Sequence, residues 1–138
     1  MKYSDTIKTS HGAEVIELFK DPAFTFGTLL NAEVKEQNGE YKVSIPMKGL
    51  FYLPFEIVFY TRRFATKRKV NYIAYSPDLT RNRWGSLRIA YENKMLNIDL
   101  EMELPFEPIS SLILKKRVKK SLKNLEERIR IEKIKRKI

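Results

Sequence analysis

His11 is the single histidine in a chain of 138 residues that has no cysteine. A zinc site or a Ser-His-Asp relay would need His11 at its centre. It stands instead beside Ser10, where an apolar-periodic stretch begins, with no second histidine to share a ligand set. We therefore expect an exposed residue at a helix start, with neither metal nor cofactor. Asp99, Glu101 and Glu103 alternate with Leu100, Met102 and Leu104, so their carboxylates fall on the outward side of one strand. That spacing fits a solvated sheet surface, and no inward acid–base pair accompanies it. An enzyme is not expected.

Arg63 is different. It has the parity of Phe55, Ile57 and Phe59 and should point inward at the end of its strand. There it would be either a solvated rim arginine or a clamp for a ligand carboxylate, which a planar guanidinium grips well. Arg81 and Arg83, ahead of Trp84, are further candidates for the same role. The chain also carries eight Phe, seven Tyr and one Trp. Many of these fall at inward positions, and together with Met47 and Met102 they suit either a packed core or an adaptable apolar pocket.

The elements that must hold these residues follow from periodicity. Lys2 to Thr9 is extended in character. Ser10 is placed to cap a helix over His11 to Lys20, and Asp21-Pro22 starts a second, apolar helix that runs to Leu30. The period then changes to two. Asn38-Gly39 is a type I′ hairpin signal joining Ala32–Gln37 to Glu40–Lys48. Gly49 to Pro54 reads as an unusually apolar turn containing Leu50–Leu53. Phe55 to Arg63 with Lys69 to Ser76, and Trp84 to Tyr91 with Met95 to Leu104, make two more hairpins.

The last thirty residues, Ile109 to Ile138, contain neither Gly nor Pro and read as one helix roughly 45 Å long. Leu114, Val118, Leu122, Leu125 and Ile129 form one stripe that can cover a sheet. Ile109, Leu112, Ile113, Ile131, Ile134 and Ile138 lie on the opposite side, with Lys116, Lys119, Lys120, Lys123 and Arg130 between them. The formal net charge of +10 is concentrated here. This segment holds twelve Lys and Arg against three acids, whereas the first 108 residues hold fifteen against fourteen. Such a segment is either a solvated helix face or a surface for a polyanion or an anionic membrane.

The order β-α-α-β-β-β-β-β-β-α, in one domain over 1–138, is that of an α+β protein with a seven-stranded antiparallel sheet. With the stretch Ser10 to Pro22 and the strand-then-helix segment Ile98 to Leu125, it resembles the START and pollen-allergen superfamily, which is also polyketide-cyclase-like. It looks most like small archaeal members from thermoacidophiles thought to carry fatty acids. The resemblance implies a helix-grip fold, in which a curved sheet wraps a long C-terminal helix around a hydrophobic cavity. The expected ligand-binding set is Phe26, Leu29, Met47, Phe59, Arg63, Tyr72, Ile89, Leu100, Met102, Val118 and Leu122.

The functional expectation is thus a non-enzymatic carrier of a hydrophobic small molecule such as a fatty acid. A basic module for nucleic acid or anionic membrane is the alternative, suggested by Arg62, Arg63, Phe64, Lys67, Arg68, Lys69 and Tyr72. A cyclase-like enzyme ranks third. A break of the helix near Arg130 with re-packing, peripheral contact with an anionic membrane, or self-association through Ile131, Ile134 and Ile138 would hide the outward isoleucines, and self-association is the expected one. A start without an apolar run leads us to expect neither signal peptide nor membrane span. With the lack of cysteine, this suggests a cytoplasmic protein, and the few glycines add a thermophile-like note.

Overall fold

The computed structural model describes residues 1–48 and 54–138, so the expected apolar turn Leu50–Leu53 lies outside the described residues. The elements are β1 (Lys2–Lys8), α1 (Val15–Phe19), α2 (Pro22–Leu30), β2 (Glu33–Gln37), β3 (Glu40–Lys48), β4 (Pro54–Ala65), β5 (Lys69–Tyr75), β6 (Arg83–Glu92), β7 (Met95–Met102), α3 (Glu107–Lys123) and α4 (Leu125–Arg136). The seven strands form one curved antiparallel sheet in the order β1-β7-β6-β5-β4-β3-β2. Strands β2 to β7 are a meander, each beside its successor. Only β1 pairs far from its sequence neighbour, at the β7 edge. The chain must therefore cross the whole sheet between β1 and β2, and α1 and α2 make that crossing.

Local chemistry explains most of the boundaries. Asn38 and Gly39 both take positive φ, 52° and 77°, which is the type I′ turn expected between β2 and β3. Asn93 and Lys94 do the same at 49° and 58° between β6 and β7, without any glycine to announce it. Asp21 caps α2, its side chain accepting the Ala23 N–H at 2.9 Å, and Pro22 follows at the first helical position. At Gly85 the backbone of β6 lies so close to β7 that a Cβ would stand 1.8 Å from the Glu101 carbonyl oxygen. Only glycine fits there.

Alternation along the strands sends one set of side chains to the inner face, where α1 to α4 cover them. The inner helical stripe is buried as expected, Leu114, Val118, Leu122, Leu125 and Ile129 all joining the core. Two features differ from the sequence reading. The first helix is short and begins after Glu14, and Ser10 does not cap it. The Ser10 hydroxyl donates to Glu126 Oε2 at 3.0 Å on the far helix, and the Glu14 carboxylate accepts the Gly12 N–H at 3.1 Å.

The terminal rod is also interrupted. Asn124, with φ −109° and ψ 6°, ends α3 and begins α4. Its N–H turns back to the Ser121 carbonyl at 3.2 Å, and its own carbonyl accepts from Arg128 at 3.1 Å. The bend does not hide the outer isoleucines, since Ile131, Ile134 and Ile138 all stay exposed.

What α4 gains is a set of ties to α1 and the start of α2. Lys133 pairs with Glu14 at 2.8 Å, and Arg136 pairs with Asp21 at 2.6 Å. His11, expected to be exposed, is half-buried under this latch, its Nδ1 3.3 Å from Lys133 Nζ and its Nε2 4.0 Å from Glu126.

Two outcomes follow. Leu114→Ala or Leu125→Ala should lose about 2–5 kcal/mol in urea unfolding, whereas Ile134→Ser should stay within about 0.5 kcal/mol of the parent. Equal losses at inner and outer positions would contradict the burial pattern. The second outcome concerns pH. The hydrogen bond from Lys133 holds the Glu14 carboxyl down at about 2, against an ordinary value of about 4.3. Between those values the unfolded chain binds the proton and the folded one does not, so stability present above that range is lost as pH falls through it. Solvent screening keeps the effect small. Glu14→Gln should flatten this part of the stability–pH curve, checked by melting at a series of acidic pH values.

Candidate ligand-binding groove

The expected ligand-binding set is brought together in the buried core, with the exception of Arg63. Phe26, Leu29, Met47, Phe59, Tyr72, Ile89, Leu100, Met102, Val118 and Leu122 are all buried. Phe26 packs edge-on against Phe59 and Tyr72, with ring centroids 5.8 and 5.0 Å apart. The Tyr72 hydroxyl donates to the Phe19 carbonyl, which also accepts from Thr25 Oγ1 at 2.8 Å. Burial pushes the Tyr72 phenol well above its usual range. Among these ten residues, Met47 alone reaches a cavity described below.

Arg63 departs from the expectation. It lies on the predicted face but at the exposed end of β4, and its guanidinium donates to the Lys20 carbonyl at the end of α1. It also lies over the Tyr41 ring at 6.0 Å. The long side chain thus caps a helix end from outside rather than lining a cavity. Arg81 is on the other face of the sheet. It stacks on Tyr60 at 4.0 Å and, with Arg62, lies 3.4 Å from Glu40. Arg83 is exposed.

The basic–aromatic set from Arg62 to Tyr72 is not one surface, because Arg62 and Arg63 alternate faces and Tyr72 is internal. Asp99 accepts from Ser4 at 2.7 Å, and Glu101 lies 3.9 Å from Lys2, both on the outward side. Among the described residues no three His, Cys, Asp or Glu side chains cluster as metal ligands.

An open groove of about 580 Å³ does exist, at one end of the layer between sheet and C-terminal helix. Pro46 and Met47 of β3 and Pro54 and Phe55 of β4 form one wall, and Ile113 of α3 forms the other. Asn31, the left-handed cap of α2, closes one side, and Glu56 stands at the edge. The walls are mainly apolar.

Arg117 of α3 reaches into this groove. Its Nη1 donates to the Leu30 carbonyl at 3.0 Å and to the Pro46 carbonyl at 2.9 Å, tying the end of α2 to β3. Burial pulls its pKa below the ordinary arginine range, as expected when a cation loses water. Among the described residues no carboxylate pairs with it, and residues 49–53 contain no acid. It is a half-buried cation facing apolar walls with its charge uncompensated.

Sequence reasoning missed Arg117. The available signal was its place on the helix, beside the inner stripe between Ile113 and Ser121 rather than among the outward lysines.

Fold and groove together define an α+β helix-grip protein with a mainly apolar groove at one end of its sheet–helix layer and a cation in the lining. A family model described as "-like:-like" matches residues 1–138, and the chain belongs to that family. No curated protein matches it. Among solved structures it is similar to a hypothetical protein from Sulfolobus tokodaii, with 25% identity over 99% of each chain and a TM-score of 0.72. It also resembles a Deinococcus radiodurans protein at 9% identity, covering 92% of this chain and 95% of the other, with a TM-score of 0.66. A Thermus thermophilus protein aligns at 14% identity over 96% and 99%, with a TM-score of 0.57. The last two show the fold alone.

If the inner aromatic set is core, truncating it should cost stability. Phe26→Ala should lose about 3–5 kcal/mol and Tyr72→Phe about 0.5–1.5 kcal/mol in chemical denaturation. A Phe26→Ala protein as stable as the parent would mean that the ring faces unfilled space.

Proposed function

We propose that this protein is a non-enzymatic carrier of a hydrophobic small molecule with an acidic head, a fatty acid or similar lipid. The ligand would lie in the groove between β3–β4 and α3. The observation that carries this reading is Arg117, a partly desolvated guanidinium without a paired carboxylate among the described residues, set in a mainly apolar groove lining. An entering carboxylate would meet a cation that has already lost much of its water, so the attraction is stronger than at the surface. The groove volume falls within the range of small-molecule sites, about 300–1,000 Å³.

The likeness to the START and polyketide-cyclase-like superfamily, whose members hold apolar ligands between helix and sheet, supports the same reading. So does the position of the groove in that layer. The cysteine-free composition and the likeness to the Sulfolobus tokodaii protein favour an archaeal, thermophilic and cytoplasmic setting.

Magnitudes say what should decide affinity. About twelve methylenes yield roughly 10 kcal/mol when fully buried, while association costs about 4–15 kcal/mol. An open groove buries only part of the chain, so apolar contact alone gives weak binding. A charge-assisted hydrogen bond adds about 1.5–3 kcal/mol, or roughly 10- to 100-fold.

Arg117→Met should therefore weaken binding of a medium-chain fatty acid by about that factor, while the matching alcohol changes by less than about threefold. Arg63→Ala should leave the acid-to-alcohol ratio unchanged. Isothermal titration with both ligands reads each effect. Equal losses of acid and alcohol in Arg117→Met would reduce that residue to a structural tie. Failure of the parent to bind either ligand would remove the carrier reading.

A further inference from the structure

Helix α3 shows three kinds of face. Ser110, Leu114, Val118 and Leu122 are buried, and Ile113 and Arg117 border the groove. The remaining arc, centred opposite the buried stripe and spanning roughly 100°, is Ile109, Leu112, Lys116, Lys119, Lys120 and Lys123. Leu112 is 56% exposed and Ile109 38%. Phe106, just before the helix, is 66% exposed and packs edge-on against Phe55, a wall of the groove, at 6.0 Å between centroids. The exposed apolar residues thus gather at the groove mouth, and the lysines follow them along the same face.

The charges here are unanswered. Among the described residues the lysines that pair with carboxylates are Lys2, Lys20 and Lys133, none of them on this arc. The single acid of α3, Glu107, is held by the Leu104 N–H at 2.8 Å. A second copy of the chain docked face to face would bring the same four lysines and repel. A nucleic acid would answer the lysines and could stack a base on Phe106, but offers nothing to Ile109 and Leu112. A surface with anionic groups outside and hydrocarbon beneath answers both.

We infer that the outward face of α3, with Phe106, is a docking surface for an anionic lipid bilayer that sets the groove mouth against the membrane. Phe106, Ile109 and Leu112 enter the headgroup–acyl boundary, and Lys116, Lys119, Lys120 and Lys123 lie on the headgroups. Cargo then passes between bilayer and groove without crossing open water. The inference deepens the carrier reading and rests on it for the cargo, but not for the docking.

The test is co-flotation of the intact protein with vesicles of phosphatidylglycerol and phosphatidylcholine in equal parts, and with vesicles of phosphatidylcholine alone. The parent should float with the anionic vesicles and stay behind with the neutral ones. Ile109→Ser with Leu112→Ser should lower the partition coefficient at least about tenfold. Replacing the four lysines by Gln should do the same. Both variants change only exposed positions, so their melting should match the parent.

Three results would overturn the proposal. The first is a parent left behind by anionic vesicles at low salt. The second is a serine variant that partitions like the parent, leaving a generic polyanion surface. The third is a parent dimer in sedimentation that the serine variant dissolves. Fatty-acid titration without vesicles separates the two readings. Docking without fatty-acid binding keeps the surface and removes the carrier, and binding without docking does the reverse.

Discussion

The last turn of α2 holds this molecule together. A helix leaves its final carbonyls without partners and carries a partial negative charge at that end. Here the Thr28, Leu29 and Leu30 carbonyls accept from Arg128 at 3.4 Å, Ser121 at 3.3 Å and Arg117 at 3.0 Å. All three donors come from the C-terminal helices, about ninety or more residues away in sequence. The contact satisfies acceptors that would otherwise be buried and unpaired, and it fixes α3 and α4 to α2. It also decides where the Arg117 guanidinium sits, because the same Nη1 reaches Pro46 in β3. The proposed site is thus a by-product of how a helix end is capped.

The bend at Asn124 follows from the same constraint. Helix α3 must lie along α2 to cap it, while α4 meets the approach to α1 through Glu126 and Lys133 and the start of α2 through Arg136. A residue of low helical preference lets the axis change direction between the two tasks. Because the inner stripe from Leu114 to Ile129 stays buried through the bend, the cost in packing is small. The outward isoleucines of α4 stay in water either way, so the bend serves the ties to α1 and not their concealment.

Much of this fold was legible because it rests on local signals. Asn38-Gly39 specifies its turn through φ alone, and the alternation in β7 and the stripe of the terminal helices state which side is inward. The failures lie where a distant partner decides. Ser10 has the chemistry of a helix cap, but Glu126 recruits it, and no local pattern contains Glu126. Asn124 lacks the signature of Gly or Pro, so periodicity ran through it. Arg63 shows the limit of parity most clearly. Alternation gave its face correctly, but a side chain several ångströms long at a strand end finds the nearest unmet carbonyl, here that of Lys20. Arg117 was invisible for the converse reason. Its importance comes from what surrounds it in space, two carbonyls and, among the described residues, no paired carboxylate.

The packed core bears on how such a fold can hold a ligand at all. In this chain the inward aromatics Phe26, Phe59 and Tyr72 meet each other, and Tyr72 meets the Phe19 carbonyl. Among the described residues a groove opens where the layer ends, beyond the last turn of α2 and between β3–β4 and α3. An end groove has less apolar contact to offer than a closed cavity, so under the proposed carrier reading selectivity would come from charge and cargo would be delivered at its mouth. Both needs point to α3, which carries Arg117 on the groove side and the apolar, lysine-rich arc one step around its circumference. A single helix thereby joins the capping of α2, the cation in the groove lining and the proposed docking surface beside it.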